Sequence, residues 1–343
     1  MSGTIPLLRS LLAAITGRPQ AQPAGADEVV ALARNHRLSP LLSLADLSGW
    51  AAPLAETLRR DRVLTIARNL QLAQAAEECA EALTAAGVPV VLLKGLSYNL
   101  TIYEEAGARP TADIDLLVPD AARRTAFETL DRLGFEPRAA APGFDEADYH
   151  EVAWARGGVD VDLHLALAPL ARCQIDYRDL WASTRDATVG RVRVATLHPR
   201  HAAIFHALHM AIDHFDVPAL YLVDLSRLLP DAGDREQAEA LARTWRCWRP
   251  FATAVALTAA FLPDWGAGRI VSPLAGFSAR VVGGYGSPER VPRREQLVRK
   301  LMHFDTRPDA VRYLAVQVRR NVREIYERRV RRRSARQRLA LGR

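Results

Sequence analysis

Asp113 and Asp115, separated by one isoleucine in the run Arg109-Pro110-Thr111-Ala112-Asp113-Ile114-Asp115-Leu116-Leu117-Val118, have a spacing suited to chemistry on phosphates. Side chains alternate along a strand, so the two carboxylates point the same way with Cα atoms roughly 6.5–7 Å apart. Carboxylates gathered on one face can hold two divalent metals about 3.5–4 Å apart, which clamp the attacking and leaving oxygens of a phosphoryl group. Upstream, the apolar run Val90-Val91-Leu92-Leu93 stops at Lys94-Gly95 and passes through Leu96-Ser97 into a helical pattern. Such a turn puts backbone N–H groups and a helix N-terminus where a triphosphate could rest. Downstream, Gly158-Val159-Asp160-Val161-Asp162-Leu163-His164-Leu165 again sets polar residues, at 160, 162 and 164, on one face. A one-sided sheet shows the same alternation. Two carboxylates on an apolar strand are nevertheless costly unless they meet solvent, cations or metal. The order of lysine-glycine turn, Asp-Ile-Asp strand and third aspartate strand favours a metal site.

Helical spacing of apolar residues covers Ala26 to His36 and Ala52 to Ala86, and Gly87-Val88-Pro89 ends the second helix before the first strand. From Val88 to about Thr196 strands and helices alternate: Val90 to Leu93, a helix from Leu96 to Glu105, Ile114 to Val118, a helix from Asp120 to Leu133, then strands at Tyr149 to Trp154, Val159 to Leu165 and Arg191 to Thr196. Beyond His198 the pattern is helical, over Ala202 to Ile212, Ala219 to Leu229, Arg235 to Trp245 and Phe251 to Leu262, with Gly276 to Val291 read as a flexible segment. The expected units are an N-terminal helical region (1–87), a catalytic unit (88–197), a helical domain (198–304) and a basic tail (305–343).

The net charge of +7 is a property of the tail. From Arg312 to Arg343 twelve arginines face Glu324 and Glu327, a surplus of ten, so the rest of the chain is slightly acidic. Generic attraction to nucleic acid is open to such a tail, but with only Tyr313 and Tyr326 among the arginines, stacking readout of single strands is poorly supported. The chain has two lysines, Lys94 and Lys300, so a lysine at a glycine turn stands out from the arginine background. Cys79, Cys173 and Cys247 form no C-x-x-C pair, which argues against a disulfide framework or zinc site and suits a reducing cytoplasm. No apolar stretch reaches membrane-span length and no signal peptide is expected.

The stretch from Val90 to Leu167 resembles the nucleotidyltransferase superfamily with the polymerase-beta-type palm. It is most similar to the uncharacterised family with a Leu-Lys-Gly turn, an Arg-x-x-x-Asp-Ile-Asp strand, a Gly-Phe and a final Asp-Leu-His. Here these are Leu93-Lys94-Gly95, Arg109 through Asp115, Gly134-Phe135 and Asp162-Leu163-His164. The resemblance continues to His209, His214 and Asp224 in the helical half. It implies an α+β fold whose mixed sheet is flanked by helical regions at both ends, and an enzyme that moves a nucleoside monophosphate from a nucleoside triphosphate such as ATP to an acceptor hydroxyl, releasing pyrophosphate.

On that resemblance Asp113, Asp115 and Asp162 hold two Mg2+ or Mn2+ ions, Asp162 also draws the acceptor's proton, and Lys94, Gly95, Ser97 and Arg109 line the nucleotide's phosphates. Leu96 departs from the superfamily's usual Gly-Gly or Gly-Ser, which weakens the case for Ser97. Asp160 competes with Asp162, which is preferred for its Leu-His context. His164 orients Asp162, positions an acceptor, or is structural. His206, His209 and Asp213 share a helix face with no fourth ligand spaced to complete a zinc site; a polar network between the halves or an acceptor contact are the readings for His209, His214 and Asp224. The expected acceptor is a small molecule or peptide natural product. Transfer to tRNA or protein, and a non-catalytic nucleotide or nucleic-acid binder, are the alternatives.

Overall fold

The computed structural model describes residues 4–18, 21–138, 150–169, 173–213, 215–266, 268–285, 303–316, 318, 319, 322 and 326. His214, Lys300 and most of the arginine tail lie outside them.

Four helices lead: α1 (Thr4–Ile15), α2 (Ala26–Asn35), α3 (Ser39–Leu42) and the 34-residue α4 (Ala52–Ala85). The central part is β1 (Val91–Leu92), α5 (Lys94–Thr101), β2 (Ile114–Leu117), a 3-10 turn (Asp120–Ala122), α6 (Arg123–Arg132), β3 (Glu136–Pro137), β4 (Glu151–Arg156), β5 (Val159–His164), α7 (Tyr177–Ala182), β6 (Arg185–Val189) and β7 (Val192–Thr196). Then come α8 (Pro199–Ile212), α9 (Leu220–Leu228), α10 (Ala232–Thr244), α11 (Trp248–Phe261) and α12 (Ala275–Gly283). The sheet runs β3-β4-β5-β2-β1-β7-β6 and is mixed: β2 is parallel to β5 and β1 to β7, and the other pairings are antiparallel. This is the expected α+β fold with helices at both ends. Sequence periodicity missed the short β3, β6 and α7. It also placed a flexible segment where α12 forms over its first part; 286–302 lie outside the described residues.

Alternation along the strands sorts the apolar residues into two cores. Ile114, Leu116, Val118, Val159, Val161 and Leu163 pack with α4 and α6 in one. Val91, Leu93 and Leu117 face the other, which they share with residues of α1–α3, α8, α9 and α11. Helices α1–α3 and the C-terminal helices thus form one layer over one face of the sheet, while the second half of α4 and α6 cover the other. Asp113, Asp115, Asp162 and His164 have the parity of Leu117, so they lie beneath that layer. Cys173 and Cys247, distant in sequence, meet as thiols within this layer, and all three cysteines are free. Among the described residues no helix is long and apolar enough to cross a membrane.

A buried ion pair fastens the layer to the segment before β2. The Arg109 guanidinium donates from Nε to Asp224 Oδ1 (3.0 Å) and from Nη2 to Asp224 Oδ2 (2.9 Å), and the Tyr103 hydroxyl donates to Asp224 Oδ1 (2.7 Å). The carboxylate is fully buried and the guanidinium nearly so. From α4, Asn69 donates to the Arg109 carbonyl (2.9 Å) and Arg68 to the Ala112 and Gly158 carbonyls (2.9 and 3.1 Å), tying the approach to β2 to the start of β5. Removing one partner of such a pair strands the other charge in a dry interior. Asp224→Ala is therefore expected to lower unfolding free energy by about 3–5 kcal/mol in urea titrations; a loss under about 1 kcal/mol would show that the pair does not hold the layers together.

Candidate active site

The turn after β1 depends on glycine. Gly95 has φ +40° and ψ −104°, and a Cβ there would stand 2.9 Å from Thr111 Cγ2 and 3.8 Å from Asp115 Oδ2. A side chain is disfavoured by both backbone and space. The turn brings the Lys94 ammonium 2.7 Å from Asp115 Oδ1. Leu93 N–H donates to the Asp115 carbonyl (2.9 Å), so the turn and the aspartate strand are also joined through their backbones.

Across the parallel pairing of β2 and β5, Asp115 is in register with Asp162, and Leu117 with His164. Asp162 is thus the register partner, whereas Asp160 is half-exposed and engaged by Arg138. His164 turns to Asp115 and not to Asp162: its Nε2–H donates to Asp115 Oδ1 (3.0 Å), and its Nδ1 lies 3.5 Å from Glu151 Oε2. Two side chains on the same edge of one strand diverge from each other, so a histidine two residues on reaches the neighbouring strand's aspartate more readily.

The electrostatics separate the three carboxylates. Burial alone would raise Asp115, but the Lys94 ammonium and His164 hold it well below the ordinary carboxylate range. Burial opposes the charge on Lys94, and Asp115 and Asp113 outweigh it, so the ammonium is held charged. Burial and then Asp115 push Asp113 up, and burial, Asp115 and Asp113 push Asp162 up to about 6. One aspartate is locked as an anion and two are easily protonated, the divergence expected of like charges crowded together.

The helical layer supplies the roof. The Tyr221 hydroxyl lies 3.4 Å from His209 Nε2, and its ring is 5.7 Å from that imidazole. His206 bonds the Tyr221 carbonyl (2.9 Å) and the Tyr98 hydroxyl (3.4 Å), and burial holds both histidines neutral. His206 therefore belongs to a network between the halves, and His209 with Tyr221 faces the acidic floor. Arg109 and Asp224 hold each other, so a reach from Arg109 to phosphate would have to break a buried pair. Ser97 is buried and its carbonyl accepts from Thr101 (2.8 Å). Arg68, Asn69, Glu151 and Tyr221 lacked any sequence signal, since each is one polar residue on an otherwise ordinary element.

Among the described residues no three His, Cys, Asp or Glu side chains form a ready-made metal cage. The donor set still suits a cation: Asp115 Oδ2 is buried without a hydrogen-bond partner, Asp115 is in register with Asp162, and both Asp113 and Asp162 are raised by burial and by neighbouring carboxylates. A buried oxygen with no donor is one that a cation would satisfy.

Residues 22–263 match the family described as uncharacterised nucleotidyltransferase, and the chain belongs to it. No curated protein matches the sequence. Among solved structures, the solution structure of the antibiotic-resistance factor ANT(2'')-Ia is similar over 50% of this chain and 91% of its own, at 14% identity and a TM-score of 0.38. Its crystal structure with adenylyl-2''-tobramycin covers 57% and 98%, at 14% identity and 0.37. An antigenic nucleotidyltransferase-like protein from Paracoccidioides brasiliensis covers 51% and 88%, at 13% and 0.33.

The raised Asp162 has a signed consequence. Its carboxyl binds a proton more tightly when folded, so the stability it contributes is present at low pH and is lost as pH rises from about 4 to about 6. Asp162→Asn is expected to stabilise the metal-free protein at pH 7, by on the order of 1–3 kcal/mol, and to flatten that part of the pH–stability curve in thermal melts. A variant less stable than wild type at pH 7 would contradict the repulsion.

Proposed function

We propose that this nucleotidyltransferase moves a nucleoside monophosphate from a nucleoside triphosphate to a hydroxyl of a small molecule or peptide. The observation that carries the reading is the register pairing of Asp115 with Asp162 beside the buried Lys94 ammonium. The acceptor oxygen forms a bond to the α-phosphorus, the bond from that phosphorus to the bridging oxygen breaks, and pyrophosphate leaves. Asp162, in register with Asp115 on the neighbouring strand, is the carboxylate that would draw the acceptor's proton. Lys94 and the Gly95 turn bind and orient the triphosphate, and His164 keeps Asp115 ionised and fixed. Asp113, Asp115 and Asp162 would hold divalent cations, Mg2+ or Mn2+, which when bound offset the charge on the phosphates and the leaving group. Tyr221 and His209 supply an aromatic ring and a neutral imidazole in the roof as the groups that would contact an acceptor.

The aspartates differ in their support for the fold. Asp115 neutralises a buried lysine, so its removal is expected to cost stability as well as activity, whereas Asp113→Ala relieves a repulsion and leaves the fold intact. With labelled nucleoside triphosphates, Mg2+ or Mn2+ and a fractionated lysate as acceptor source, wild type is expected to transfer label. Asp113→Ala is expected to lose at least about a hundredfold in rate, as does wild type with chelator. Full turnover by folded Asp113→Ala would sink the assignment.

A further inference from the structure

We infer that Arg37, at the end of α2, is a ligand of the donor's polyphosphate. This rests on the nucleotide-binding reading above and adds to it a residue supplied by the N-terminal helices.

Helix α2 ends in a hydrogen-bonded reversal: Arg37 N–H donates to the Arg34 carbonyl (3.0 Å) and Leu38 N–H to the Ala33 carbonyl (2.7 Å). The residue at that reversal adopts the left-handed conformation, and here it is Arg37, with φ +58°. Glycine is the common occupant of this position because a Cβ is strained there. Among the described residues two others that bear side chains share the conformation, and each has a structural partner. Phe215 packs its ring 5.0 Å from His303, and Arg246 pairs with Asp309. Among the described residues no hydrogen bond or ion pair engages the half-buried Arg37 guanidinium.

Its location is fixed by the residue before it. Buried His36 accepts through Nδ1 from Ala219 N–H (3.1 Å), and its carbonyl accepts from Leu220 N–H (3.3 Å). Arg37 is thereby pinned to the first turn of α9, which carries Tyr221, the roof of the acidic floor. The positive charge of Arg37 acts on both Asp113 and Tyr221. A guanidinium held at a backbone cost near Asp113, with no bond from the described residues, fits a planar, multidentate grip on phosphate oxygens. Lys94 is shared with Asp115, so a second side-chain cation adds to its hold on the terminal phosphates, and Arg37 reaches the site from the helical layer that carries Tyr221.

The test is calorimetric titration of the full chain with Mg2+ and either a non-hydrolysable nucleoside triphosphate or the matching monophosphate, for wild type, Arg37→Gly and Arg37→Lys. Because glycine suits the backbone, Arg37→Gly is expected to melt no lower than wild type while losing roughly 10- to 100-fold in triphosphate affinity, with monophosphate affinity nearly unchanged. Arg37→Lys recovers part of the loss. Triphosphate affinity within twofold of wild type in Arg37→Gly, or an equal loss for both nucleotides, overturns the role of Arg37 and leaves nucleotide binding standing. Wild type that binds no triphosphate overturns both.

Discussion

Three carboxylates share one face of a sheet that a helical layer then covers, and the charge problem this creates governs the rest of the architecture. In a medium poorer in water, like charges raise one another's pKa and any unpaired anion is expensive. The chain answers with one buried lysine and one histidine on Asp115, which leaves Asp113 and Asp162 under repulsion. The imbalance is stored in the metal-free protein and is relieved by whatever positive charge enters.

Keeping that arrangement requires the layers not to slide. The Arg109–Asp224 pair joins the segment before β2 to α9, and Tyr103 completes the carboxylate's bonding. On the other side Arg68 and Asn69 of α4 hold carbonyls of the same segment. His36 ties the end of α2 to the start of α9. α2, α4 and α9 are therefore tied to one another or to the segment before β2, and helices from both sides of the sheet in sequence share one core with the face that bears the site.

Much of this was legible because period-2 and period-3.6 patterns encode faces. Alternation in Asp113-Ile114-Asp115 and Asp160-Val161-Asp162-Leu163-His164 predicted which side chains share a side, and the two cores divide along the same parity. Asp162 is preferred to Asp160 in sequence for its Leu-His context alone; its register with Asp115 lies in the pairing of β2 and β5, which no single strand contains. Arg109 reads in sequence as a loop cation within reach of phosphate, since its partner Asp224 is more than a hundred residues away. His164 reads as a neighbour of Asp162, and only the adjacent strand reveals that its bond goes to Asp115. The bounds of α2, α4 and α9 were legible to within a residue, but the left-handed arginine at the end of α2 was not, because the rule for such positions points to glycine.

In the proposed reading Asp113, Asp115 and Asp162 act as one cation-binding set with Lys94 at the phosphates. A crystal structure with Mn2+ and a non-hydrolysable nucleoside triphosphate tests it most directly, by locating the metal through its anomalous signal. The predicted result is Mn2+ bound to Asp115 Oδ2 together with Asp113 or Asp162, and the triphosphate against Lys94 and the Gly95 turn. A triphosphate lodged elsewhere, with Asp115 still held only by Lys94 and His164 and no metal on the three aspartates, would contradict it.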